Sequence, residues 1–496
     1  MRDWFQGDDE VVLEETNTGK NIEPQEIDEK GGELDQFLPP GEARYVPALS
    51  VTMSNFFAKD YSDIEFGDYR LTWWEDESIM PEYPYMLINP VAWAMGSTGV
   101  DFDVTEKLRV DPGEDTYVFV DSGGFQIKSF DEAMMTRSED MHDFSQLRVH
   151  PKKLLEWQVQ NGTAGALLDI PPFTADKSET TVEGVSQDSY DEWYEDAFVH
   201  GLEESKEIAR MMQDHRNQIG AHDYNMFGVV HGIPKKDDEV PHESWLEWYD
   251  GLKESGDYDG VAFGITNMQM GKTALLLSFA GEYVDEDHVH MLGTSSLLDR
   301  LLADFFLLYN DEMSITMDST GFTVGGKYRQ MLNPLMPGRE FICSQRETDL
   351  EPIQTDFYPC RCVVCSRVKE VEGNPNWYLS GNSTEISTAM NMHNLHHLVK
   401  FHQTTAAFVQ SHGEKLVDEY SREEGVKNGN QFWKILLQLF SKSNVDQIYD
   451  AFEFIKLSQT KSISRACDEF EVFNRFNSGP NGRMIARRTS SSYMDW

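Results

Sequence analysis

Three groups of residues in this 496-residue chain have the types and spacing that do chemistry. The first is Asp121-Ser122-Gly123-Gly124-Phe125-Gln126, directly after the apolar run 117–120. Paired glycines after a strand let the backbone approach a ligand or adopt positive φ. The neighbouring Phe125 offers a ring face on which a flat ligand can stack. The second group is two further carboxylates, Asp169 and Asp318, each closing a strand-like run. Two carboxylates at one mouth suggest glycosidic-bond chemistry. One attacks the anomeric carbon and forms a covalent intermediate, and the other moves protons on the leaving group. A third can instead accept hydrogen bonds from the N–H groups on the polar edge of a purine.

The third group is Cys360-x-Cys362-x2-Cys365, followed by His393, His396 and His397. Three cysteines within six residues have metal-ligand spacing rather than disulfide spacing. Structural zinc takes four thiolate or imidazole ligands. The expected set is Cys360, Cys362, Cys365 and His393, with His396 and His397 as alternatives for the fourth place. A closed set of this kind leaves no position for a reactive water, so the zinc is expected to be structural. Cys343 and Cys467 read as buried thiols.

These side chains need a scaffold. Short apolar or β-branched runs recur at 46–53, 85–88, 117–120, 165–169, 226–230, 260–264, 289–292 and 314–318. Several are apolar nearly throughout, as strands buried on both faces are. Helical patterns lie between them at 151–160, 190–213, 244–254, 272–282 and 296–309. Strands alternating with helices indicate βα units, and eight over about 275 residues match a (β/α)8 TIM barrel. A doubly wound open sheet is the alternative. In a barrel the chemistry sits where strands end, and Asp121, Asp169, His231, Gly264, Gly293 and Asp318 follow or close these runs. The expected organisation is an acidic, mobile arm at 1–44, a catalytic barrel at 45–340 and a zinc-binding subdomain at 341–400. A helical region at 401–475, with apolar stripes at 431–440 and 445–457, and a basic, polar tail at 476–496 complete it.

Charge bounds the setting. Asp and Glu number 86 against 42 Lys and Arg, a formal net charge of −44 spread along the chain. A uniform acidic excess suits a protein kept soluble at high salt, where screening is short-ranged. Such a charge ordinarily opposes nucleic acid, but phosphate attraction also weakens at high salt. The first residues, MRDWFQGDDEVVLEE, form no apolar leader. No apolar run has the roughly 20 residues of a membrane helix. The expectation is a reducing, cytoplasmic location and no membrane partner.

With the hexapeptide, the cysteine cluster with its His-Asn-Leu-His sequel and the strand order together, residues 46–400 resemble the tRNA-guanine transglycosylase superfamily. The resemblance implies exchange of a guanine for a free 7-deazaguanine base. It implies that Asp121 is the general acid/base and base-binding carboxylate, beside Ser122, and that Phe125 and Leu292 sandwich the base. Asp169 matches the carboxylate that grips the Watson–Crick edge, Gly260 matches a backbone contact to the base, and Asp318 matches the nucleophile, with Asp304 and Asp311 as fallbacks. Where the family usually has Val-Gln-Gly-Gly, this chain has Val230-His231-Gly232-Ile233. About 95 residues follow the cysteine–histidine region, and they read as helices rather than a β-rich RNA-binding module. These departures resemble the DNA-modifying branch, known from bacteria and viruses, those of haloarchaea included; for a viral protein the location is the host cytoplasm. DNA is therefore the favoured partner and tRNA the alternative, with a non-catalytic nucleic-acid-binding member as a further reading. The family often pairs through its zinc region, which implies a homodimer. Lys327, Arg329, Arg361, Arg367, Lys369, Arg475, Arg483, Arg487 and Arg488 are the candidate phosphate contacts.

Overall fold

The computed structural model describes residues 33–58, 64–90, 103–123, 151–171, 187–232, 241–264, 270–294, 297–308, 310–323, 330–332, 340–342, 360–373, 377–379 and 383–421. Its frame is eight parallel strands: β1 (Ala43–Pro47), β2 (Tyr85–Ile88), β3 (Tyr117–Val120), β4 (Ala164–Ala166), β5 (Asn225–Val230), β6 (Gly260–Phe263), β7 (His288–Met291) and β8 (Ser314–Ser319). From β2 to β8 each strand pairs with the next in sequence, and β8 pairs with β1. The ring nearly closes through a parallel bridge between Ala48 and Leu87, with the Leu49 N–H donating to the Leu87 carbonyl at 2.9 Å. This ring excludes the open-sheet alternative and makes the fold an α/β barrel.

The strand sequences explain the closure. β2 and β3 are buried along their whole length, so they need cover on both faces. After the short α2 (Val104–Leu108), helices α3 (Pro151–Asn161), α4 (Gln187–Ile219), α5 (Pro241–Lys253), α6 (Met270–Tyr283) and α7 (Leu297–Leu307) supply the outer layer. Inside, Phe119 meets Phe227 edge-on with ring centroids 5.2 Å apart. Gly260 makes room there: a Cβ on it would lie 2.4 Å from the Phe227 ring.

Two expected boundaries move. The run 46–53 is not one strand. β1 ends at Pro47, and Ser50 caps a helix, α1 (Val51–Phe57), by accepting from the Met53 N–H at 3.3 Å. The local cap diverts the chain even though 51–53 are apolar or β-branched. Residues 33–44, read as part of the mobile arm, are packed where described: Leu34, Phe37 and Leu38 are buried in the barrel's core, and the Tyr85 hydroxyl donates to the Phe37 carbonyl at 2.8 Å.

Beyond the barrel lie a ribbon of β9 (Gln330–Leu332) and β10 (Glu340–Ile342), then α8 (Val363–Glu372) and the long α9 (Thr384–Ser421). Helix α9 runs unbroken through residue 400 and packs on α7, α8 and β1. Its Asn394 side chain donates to the Phe322 carbonyl at 3.2 Å. Val364, Val368, Met390 and Leu395 join one apolar core with β1, β2 and β3, so the cysteine-bearing segment is anchored on the barrel itself. No described helix is long and apolar enough to cross a membrane. The stripes at 431–440 and 445–457, the tail at 476–496, Cys343 and Cys467 lie outside the described residues.

Candidate functional site

Strand register sets the candidate residues in two rows. Ile88 pairs with Val120, and Val230, Phe263, Met291 and Met317 pair in succession. One residue further along each strand gives Asn89 beside Asp121 in one row and His231, Gly264, Leu292 and Asp318 in the other. The negative fields of Asp318 and Asp169 both reach Asp121, which joins the rows at the C-terminal mouth. Asp169 follows β4 by three residues and reaches the same place, because Ser122 donates its hydroxyl to Asp169 Oδ1 at 2.8 Å. His231 Nε2 lies 2.6 Å from Asp169 Oδ2. Ser122, Asp169 and His231 are all buried. Each Asp169 oxygen has a second acceptor site, so a base edge can still be read there.

The two catalytic candidates sit in unlike surroundings. Asp121 accepts the Asn89 amide N–H at 2.6 Å and a hydrogen bond from the Gly123 backbone. Burial nevertheless pushes its carboxyl up to about 7, with the negative fields of Asp318 and Asp169 adding to the effect. A carboxyl of this kind holds a proton near neutrality and can act as an acid. Asp318 instead receives the Gly293 N–H on Oδ1 at 2.6 Å, and His290 Nε2 stands 3.4 Å from the same oxygen. Gly123 and Gly293 have φ of 75° and 68°, which a side chain would strain. Glycine is thus required where the chain turns away from the mouth beside each carboxylate.

The other expected residues fall out as follows. Leu292 is partly buried at the level of Asp318 and packs on the core. Gly260 is not at the mouth: it opens β6, three residues before its end, against Phe227. Gly264 holds the mouth position instead, and a Cβ there would lie 2.1 Å from His231 Cε1. Asp304 is on α7, paired with Arg300 at 3.0 Å, and Asp311 precedes β8 near Gly41, so neither fallback faces Asp121. Gly124, Phe125 and Gln126 lie outside the described residues, as do Lys327, Arg329, Arg475, Arg483, Arg487 and Arg488. Arg367 is spent internally, donating to the Ser78 carbonyl at 2.5 Å and lying over the Tyr69 ring at 4.6 Å. Arg361 and Lys369 are exposed.

The cysteine cluster is a candidate metal centre. Cys362 caps α8, its sulfur accepting the Cys365 N–H at 3.4 Å. One donor atom from each of Cys360, Cys362, His393 and His397 lies within 4.8 Å of the others. Cys365 Sγ is 3.2 Å from His393 Nδ1, Cys362 Sγ 3.5 Å from the same nitrogen, and Cys360 Sγ 3.4 Å from His397 Nε2. Zn–S and Zn–N bonds of about 2.3 and 2.0 Å give tetrahedral edges of about 3.5 Å. The spacing and soft donor chemistry therefore fit a metal ion. His393 and His397, one turn apart on α9, both face the cluster. The expected Cys3His set is present, and His397 is a fifth donor beside it.

Sequence reasoning passed over Asn89 and His290. Asn89 directly follows β2, so the strand-end rule that selected Asp121 also points to it. His290 lies within β7, where only the inward alternation of a barrel strand marks it.

No protein-family model matches this chain, and no curated protein matches it. Among solved structures there is a likeness to the carboxyl transferase domain of pyruvate carboxylase from Rhizobium etli, determined with 3-bromopyruvate. The identity is 11% and the TM-score 0.27, over 92% of this chain and 62% of that one. This chain thus spans less than two thirds of that structure's length.

Proposed function

We propose that this protein is a transglycosylase that exchanges guanine in DNA for a 7-deazaguanine base. The observation that carries the reading is the meeting of Asp121, Asp169 and Asp318 at one barrel mouth, where burial and the two neighbouring carboxylates raise Asp121 so that it holds a proton near neutrality. Asp318 attacks the anomeric carbon through a carboxylate oxygen, an ester bond forms, and the glycosidic C–N bond breaks. Asp121 gives its proton to the departing guanine. It then takes the ring N–H proton of the incoming base, whose nitrogen displaces Asp318 and restores the glycosidic bond. Atoms and charge balance over the cycle, and water must stay out of the ester step for exchange to beat hydrolysis. Asp169, held by Ser122 and His231, reads the base edge.

The metal in this reading is a structural zinc. It holds the N-terminus of α8 to α9, and so the cysteine segment to the barrel's flank. The guanine of a duplex must be flipped out or its strand opened to reach a carboxylate at the mouth. His231 in place of the family's usual Gln, and the helical pattern of the C-terminal region, favour DNA over tRNA. Labelled guanine incubated with the protein and either duplex DNA or tRNA tests the reading. Label entering DNA is expected. Label entering tRNA alone replaces DNA with tRNA as substrate, and label in neither with folded protein refutes exchange.

A further inference from the structure

His290 lies on β7 with its ring fully buried, flat against Phe119 at 3.9 Å between centroids and 16° between planes. The stack fixes the plane of the imidazole. Nδ1 is 2.7 Å from the Thr316 hydroxyl. Nε2 lies 3.4 Å from Asp318 Oδ1 without forming a hydrogen bond to it, and it has no hydrogen-bond partner among the described residues. A buried ring nitrogen that no neighbour satisfies is rare in native structures and calls for a role.

We infer that His290 is a positioning residue for the nucleophile, donating its Nε2–H to Asp318 Oδ1; the inference rests on the transglycosylase reading. Thr316 and Asp318 set the proton's place. The Thr316 hydroxyl can donate to the Val289 carbonyl at 3.4 Å or to His290 Nδ1 at 2.7 Å. The Asp318 oxygen decides between them: a bare Nε2 would set its lone pair against that oxygen, so the ring proton is placed on Nε2 and the Thr316 hydroxyl donates to Nδ1. The 3.4 Å gap is long for a formed bond, as catalytic contacts often are before substrate closes the site. With the Gly293 N–H already on Oδ1, two donors converge on one oxygen. The carboxylate is held in one rotation with Oδ2 as the attacking atom. Phe119, Thr316 and His290 then act as a relay from the barrel's interior to the reacting group, without touching substrate.

Two measurements test this. In protein labelled with 15N-histidine, the imidazole shifts report which nitrogen of His290 carries the proton, whether or not the enzyme turns over. A protonated Nε2 whose signal moves in Asp318→Asn is expected; a bare Nε2, or no response to Asp318→Asn, overturns the inference. In kinetics, His290→Phe keeps the stack and removes the donor. The rate of covalent adduct formation should fall about 10- to 100-fold with KM within about twofold. His290→Gln, which restores an N–H donor, should recover at least about threefold of that loss. Thr316→Val, a milder change in case His290→Phe folds poorly, should slow the adduct about 3- to 10-fold. Unchanged adduct rates in folded His290→Phe, or in Thr316→Val where His290→Phe does not fold, would overturn the inference. Failure of the wild-type protein to exchange any base would sink the transglycosylase reading, and the NMR result would still decide the His290–Asp318 contact.

Discussion

Replacing Asp121 by Asn should make the protein more stable, and only where the carboxyl would be charged. Burial and two neighbouring carboxylates raise Asp121 from its ordinary 3.8 to about 7. A raised carboxyl binds its proton more tightly in the folded chain than in the unfolded one. The folded state therefore bears no cost below pH 3.8, an increasing cost between 3.8 and about 7, and the full cost above that. At 1.36 kcal/mol per pH unit the gap amounts to about 4 kcal/mol. The side chain keeps some access to solvent and the protein is densely charged, so about 2–4 kcal/mol is expected once screening is included. Asn keeps the shape and can still accept the Asn89 N–H that now reaches Asp121 Oδ2, so little is lost in exchange. Urea unfolding of wild type and Asp121→Asn at matched ionic strength provides the assay. The variant should match wild type near pH 4 and exceed it by that margin at pH 8. An Asp121→Asn protein less stable than wild type at pH 8 would refute the reasoning. It would mean that Asn89 and Gly123 outweigh burial and repulsion, and that Asp121 is an ordinary ionised carboxylate.

Three further outcomes follow from the same geometry. Metal analysis should find about one zinc per chain, and its removal by chelation should lower Tm by more than about 5 °C, because the ion ties α8 to α9. His393→Ala and His397→Ala, compared for zinc retention, identify the fourth ligand; zinc kept by both single variants means that either histidine serves, and zinc kept by the double variant would exclude both from the set. Gly264→Ala should push His231 off Asp169, since the new Cβ would lie 2.1 Å from its ring. A rise in KM for the free base of about tenfold, with a stability loss of about 1–3 kcal/mol, is expected from overpacking of this kind. Unaltered KM would show that His231 does not hold the base-reading carboxylate.

Much of the barrel was legible because buried parallel strands leave an unmistakable trace. 117–120 and 85–88 are uniformly apolar, and the structure begins and ends those strands at the same residues. The segment 46–53 misled because apolar content does not register a cap: Ser50 turns the chain into α1 although the apolar run continues. Gly260 and Gly264 show a second limit. Both are glycines of one short segment, and only strand direction and register say that Gly264 is at the mouth while Gly260 accommodates Phe227 at the other end. The carboxylates were visible as strand-end residues, but the raised state of Asp121 was not. It arises from burial and from Asp318 and Asp169, contributed by strands distant in sequence. In the cysteine cluster, three thiols in six residues announced a metal centre. The sequence left His396 and His397 as alternatives to His393, and α9 presents His393 and His397, one helical turn apart, to the sulfurs.

The most direct test of the account is the identity of the covalent bond. Protein incubated with guanine-containing duplex DNA, denatured rapidly and digested, should yield a peptide carrying a deoxyribosyl adduct on Asp318. Asp318→Asn should abolish the adduct and reduce exchange by about 10³-fold or more. An adduct mapped to any other residue, or full exchange by Asp318→Asn, would contradict the account.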